Sequence, residues 1–110
     1  MNILEIHNEI KNNKEKSIET LIDFVRQPSV SRDIEAVEKC SRYLKSLMVD
    51  CGITTKIYKT EGNPIVYGEV LSNNKDAETV LFYGHYDVQP PDTLEDWKSP
   101  PFEPTIRNGR

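Results

Sequence analysis

Val80–Asp92, "VLFYGHYDVQPPD", carries the most information in the chain. It starts as an apolar run and then places His85 and Asp87 one residue apart, ahead of the double proline Pro90-Pro91. The segment "TVLFYG" at 79–84 is apolar on both alternating faces, the pattern expected of an inner strand covered on both sides. Residues two apart on an extended backbone share a face. His85 and Asp87 are therefore expected to project together while Tyr86 points away, with Gly84 leaving the backbone room to turn. In open α/β sheets, ligands bind outside the carboxyl ends of strands, and the pair falls at such an end. An imidazole that binds a metal through one nitrogen usually donates its other N–H to a carboxylate or carbonyl. Asp87 is placed to accept that hydrogen bond and so fix the tautomer and orientation of His85. A His–Asp contact of purely structural value remains the alternative.

Upstream, two more strands are expected. Ile53, Thr55 and Ile57 alternate with Thr54, Lys56 and Tyr58, a half-exposed pattern. "EGNP" at 61–64 reads as a turn, "IVYGEVL" at 65–71 as the next strand, and "SNNKD" at 72–76 turns the chain back. Before the strands come helices. Ile3, Ile6, Ile10, Ile18, Leu21 and Val25 lie on one 3.6-residue stripe, interrupted at Asn12-Asn13-Lys14, where the helix is expected to break or fray. Pro28 ends it. His7, in its first part, reads as a surface or packing histidine. The second helix is capped by Ser31 or Asp33. Its apolar stripe is Val37, Cys40, Leu44, Leu47, Met48 and Cys51, and Gly52 sits where a left-handed cap is wanted. The order of helices and then strands predicts an α/β layer architecture.

Downstream, 88–103 has no periodicity and four prolines, a long loop of the kind that often carries function. Trp97, Pro101 and Phe102 either pin it to the domain or line a pocket mouth. "TIR" at 105–107 suggests a short strand. "NG" at 108–109 is a strong hairpin signal, and its returning strand would start at Arg110. A hairpin signal without its second strand suggests that the sequence is cut.

Composition narrows the field. The 110 residues suit one domain or part of one; 36% are hydrophobic and 29% charged. The formal net charge of -4 and the scattered 14 basic residues argue against nucleic acid. The polar N-terminus fits neither a signal peptide nor a membrane span. Cys40 and Cys51 both read as buried free thiols on the second helix, with no metal or disulfide spacing between them. Low cysteine use fits a reducing, cytoplasmic setting.

The combination of "VLFYGHYDVQPPD", Trp97 and "PPFEPTIRNGR" at 100–110 resembles the zinc-dependent M20 metallopeptidases. That family takes in carnosinase-like dipeptidases, succinyl-diaminopimelate desuccinylase, acetylornithine deacetylase, aminoacylase and glutamate carboxypeptidases. "LIDFVRQPSVS" at 21–31 fits as well, and the resemblance covers essentially the whole chain. It implies that residues 1–110 are the N-terminal portion of an α/β/α catalytic domain, truncated, without the dimerisation domain. It implies that His85 is a ligand to one zinc of a two-zinc site, with cobalt or manganese as substitutes, and that Asp87 is the catalytic-site carboxylate orienting it. The metals would polarise an amide carbonyl, with a glutamate as general base. Substrates would be dipeptides or N-acyl amino acids, the complete enzyme a candidate homodimer, and neither nucleic acid nor membrane a partner.

The sequence departs from the family pattern in the rest of the site. The bridging aspartate, the glutamate pair and the remaining ligands belong to segments beyond Arg110. Glu95, Asp96 and Glu103 read as solvated loop carboxylates, not replacements. A catalytic zinc site takes three protein ligands, so this chain alone is expected to be inactive. The other reading is a non-catalytic binding or interaction module derived from the same fold, which would need a partner for its edge strand.

Overall fold

The computed structural model describes residues 1–110, which fall into two compact units, residues 1–26 with 93–110 and residues 27–92. The chain is α/β: three helices precede a two-stranded antiparallel sheet.

In the first unit, α1 spans Ile3–Asn12 and α2 spans Lys14–Val25. Asn2 opens α1 with a reciprocal cap: its side chain accepts from the Glu5 N–H at 3.0 Å, and its own N–H donates to Glu5 at 2.8 Å. The expected break falls at Asn13, whose side-chain amide turns back to the Glu9 carbonyl and carboxylate at 2.9 and 2.6 Å. That satisfies the end of α1 and leaves α2 without a side-chain cap. The anticipated stripe from Ile3 to Val25 lies on these helices, but its members stay exposed.

The second unit is built on α3, Ile34–Asp50. Asp33 is its cap, accepting from the Ala36 N–H at 3.0 Å. Val37 and Cys40 are buried, and Leu44, Leu47 and Met48 are half-buried. Cys51 corrects the sequence expectation: it is exposed. It is the residue at which the helix ends, so the 3.6-residue stripe stops before reaching it. Gly52, at φ +78°, then completes a left-handed cap. Its N–H reaches the Val49 carbonyl at 2.8 Å, and the Ile53 N–H reaches that of Met48 at 3.0 Å.

β1, Thr54–Tyr58, pairs with β2, Ile65–Glu69, in a register that sets Thr55 opposite Gly68 and Ile57 opposite Val66. These four half-buried residues share the face packed on α3, while Thr54, Lys56, Tyr58, Ile65, Tyr67 and Glu69 are exposed. The period-2 reading of 53–58 therefore holds. Gly68 is a point of close approach: a Cβ there would collide with Met48 Cε and lie 2.7 Å from Ile53 Cγ2.

Two expected strands are absent. Residues 79–84 join no ladder, and Val80, Leu81, Phe82 and Tyr83 are 72–90% exposed. An inner strand needs partners on both edges and cover on both faces, and the single antiparallel pair in these residues provides neither. Residues 105–107 are likewise unpaired. The turn beyond them does form. Asn108 and Gly109 take φ of 51° and 76°, and Arg107 and Arg110 exchange both backbone bonds, at 2.8 and 3.0 Å.

Candidate functional site

His85 and Asp87 lie in the second unit, just past the unpaired apolar run. Their side chains meet: His85 Nδ1 is 3.0 Å from Asp87 Oδ1. An ionised carboxylate only accepts, so the contact calls for a proton on Nδ1, and in the neutral ring Nε2 is then the free acceptor. Nε2 faces the Tyr83 hydroxyl at 3.2 Å, and the two rings meet edge-on with centroids 5.6 Å apart. The Asp87 side chain is 26% exposed and that of His85 is 69% exposed. One end of the pair is thus seated in the domain while the imidazole stands in solvent.

Anchors on either side seat Asp87. Tyr86 turns the other way, and its hydroxyl donates to the Pro64 carbonyl. Val88 bridges Val30 in parallel fashion, with its N–H on Ser29 and its carbonyl accepting from Ser31, both at 2.9 Å. The Asn63 side chain donates to the Ser31 carbonyl at 3.0 Å. Beneath lies Cys40, whose Sγ is 3.9 Å from the Tyr86 carbonyl. Burial pushes the Cys40 thiol above its ordinary value; a bond with Ser29 opposes this, and the Asp87 charge adds to it. Burial likewise raises the Tyr86 phenol, with smaller contributions from Asp87 and Cys40.

Tyr83 was legible in principle, since it shares the parity of His85 and Asp87 along an extended backbone. Ser29, Asn63 and Pro64 were not, because they support the residues flanking the pair through bonds across 22 residues or more. His7, Glu95, Asp96 and Glu103 are all exposed. Trp97 and Pro101 line an open depression with Leu94, Lys98, Ser99 and Pro100, which belongs to the first unit.

For a metal, the chemistry of the donors is informative. His85 has one nitrogen held by a carboxylate and the other outward, the arrangement of an oriented imidazole ligand. No group of three or more His, Cys, Asp or Glu side chains gathers around it or elsewhere. The residues fit one ligand and its orienting group, and they do not make a complete site.

No family model matches the chain. Among solved structures, it is similar to an M20 family metallo-carboxypeptidase, Sso-CP2 from Sulfolobus solfataricus. The identity is 41% and the TM-score 0.75, over 83% of this chain and 21% of that one. The chain is an M20-family segment. Curated relatives agree. A succinyl-diaminopimelate desuccinylase of Methylococcus capsulatus is 55% identical over 40 residues, covering 36% of this chain and 11% of the relative. A probable di- and tripeptidase of Saccharomyces cerevisiae, DUG2, is 28% identical over 112 residues, covering 88% and 13%. The chain thus spans little more than a tenth of the length of these curated relatives.

Proposed function

We propose that this chain is the N-terminal part of a zinc-dependent M20 hydrolase that cleaves amide bonds of dipeptides or N-acyl amino acids. The observation that carries the reading is the His85–Asp87 contact of 3.0 Å, in a segment similar at 41% identity to a metallo-carboxypeptidase. His85 would hold a metal through Nε2, and Asp87 would fix its tautomer and ring direction through Nδ1. Tyr83 would yield its contact with Nε2 when the metal is present. When bound, the metal supplies Lewis acidity toward an amide carbonyl. The contribution of this chain is to present one imidazole oriented by Asp87. The remaining ligands and the general base would come from other segments of a longer polypeptide, since the relatives are several times this length. Homodimerisation would rest on those segments too. The two free cysteines support a reducing, cytoplasmic setting; no helix is long and apolar enough to cross a membrane.

The test is made on the polypeptide encoded by the complete reading frame. Zinc content and hydrolysis of a panel of dipeptides and N-acyl amino acids are measured for the parent and His85→Ala, with circular dichroism as the check on folding. Loss of both zinc and turnover with the spectrum retained is expected; unchanged turnover refutes the reading. Residues 1–110 alone should show no zinc-dependent turnover on the same panel. Turnover by the pure chain would overturn the assignment of the missing ligands to other segments.

A further inference from the structure

We propose that Tyr86 is a positioning residue: by tying its hydroxyl to Pro64, it fixes the backbone that aims His85 and Asp87. This role rests on the proposed function, in which His85 is a metal ligand. Tyr86 lies between the two, so its ring leaves the backbone on the opposite side. Its hydroxyl donates to the Pro64 carbonyl, and its own carbonyl sits 3.9 Å from Cys40 Sγ on the buried face of α3.

The tie is one side of a triangle. Segments 29–31 and 88 are joined by two backbone bonds of 2.9 Å, and Asn63 joins 63–64 to the Ser31 carbonyl at 3.0 Å. Tyr86 closes the figure by joining 86 to 64. The tie matters because of what lies on the other side. Within the 110-residue chain, residues 79–84 belong to no strand, so there no ladder restrains His85 from upstream. Val88 holds the chain after Asp87, and Tyr86 holds it between the two functional side chains. Without the hydroxyl, residues 85–87 would be held only by Val88 and by the long Cys40 contact to the Tyr86 carbonyl, and the 3.0 Å contact between the side chains would compete with solvent.

The test reads the tautomer of His85, which a contribution to stability alone would not move. At pH 8 an ordinary imidazole is neutral, and multiple-bond ¹H–¹⁵N spectra of the 110-residue chain then distinguish Nδ1–H from Nε2–H. The parent should show a dominant Nδ1–H form. In Tyr86→Phe, which keeps the ring, the two ¹⁵N resonances should move toward each other as the tautomers mix. Asn63→Ala, which cuts the triangle at another corner, should shift them in the same direction and carries the test if Tyr86→Phe fails to fold. Resonances unmoved in both variants overturn the proposal. In the complete polypeptide, Tyr86→Phe should weaken zinc binding by less than the roughly 10–100-fold expected on losing an orienting partner such as Asp87. The two readings fail separately. Zinc that leaves the parent's His85 Nε2 unmoved in the complete polypeptide speaks against the metal role, whereas the tautomer result decides the part played by Tyr86.

Discussion

Cys40 and Cys51 sit on one helix and its cap, yet they face different chemistry. Cys40 is 1% exposed, while Cys51 is exposed. Eleven residues of helix separate them by about 16 Å, far beyond the reach of a disulfide. A thiol reagent should therefore label one cysteine rapidly in the native chain and two in urea. Rapid labelling of both would show that the α3 face opens. Burial also sets a pH dependence. The folded Cys40 thiol and Tyr86 phenol lie above their ordinary values of 9.0 and 10.0. Both are neutral acids that unfold into forms ionising more readily. Their contribution is fully present below about pH 9 and is lost as pH rises through the folded values. The urea midpoint of the parent should fall across that window. In Cys40→Ala the early part of the fall should flatten; an unchanged profile would assign the alkaline loss to other groups.

At the scale of elements, local signals and one close contact hold the second unit together. Asp33→Ala removes the bond to the Ala36 N–H and should cost about 0.5–2 kcal/mol. Gly68→Ala should cost about 1–3 kcal/mol, because the added methyl must displace Met48 and Ile53 where α3 crosses β2. Urea unfolding monitored by circular dichroism checks both. A neutral Gly68→Ala would mean that the Met48 side chain swings aside at no cost. The helix break at Asn13, the Asp33 cap and the Gly52 cap were all legible in the sequence, because each rests on bonds among residues within about five positions. The exposure of Cys51 was not, since a stripe predicts a face but not where the final turn leaves it.

For the whole molecule, the unpaired run is the main liability. Val80–Tyr83 is apolar, rich in strand-forming residues and 72–90% exposed. Such a segment is a template for intermolecular pairing. The 110-residue chain should associate with rising concentration, and Phe82→Lys should suppress this while leaving the urea midpoint unchanged, because Phe82 is 90% exposed. Light scattering decides the first part and unfolding the second. A lowered midpoint would mean that Phe82 packs against the chain in solution.

Local sequence specifies the helices, their caps, the β1–β2 alternation, the Asn108-Gly109 turn and the pairing of His85 with Asp87. Each depends on neighbours a few residues apart, through helical period, strand parity or the φ that glycine permits. Contacts between distant segments settle the rest: Tyr86 is tied to Pro64, Val88 bridges Val30, and Asp87 is seated while His85 stands exposed. Within these 110 residues no backbone pairs with 79–84. A pattern of apolar residues states what a segment would bury, but a strand exists only where other backbone supplies the hydrogen bonds.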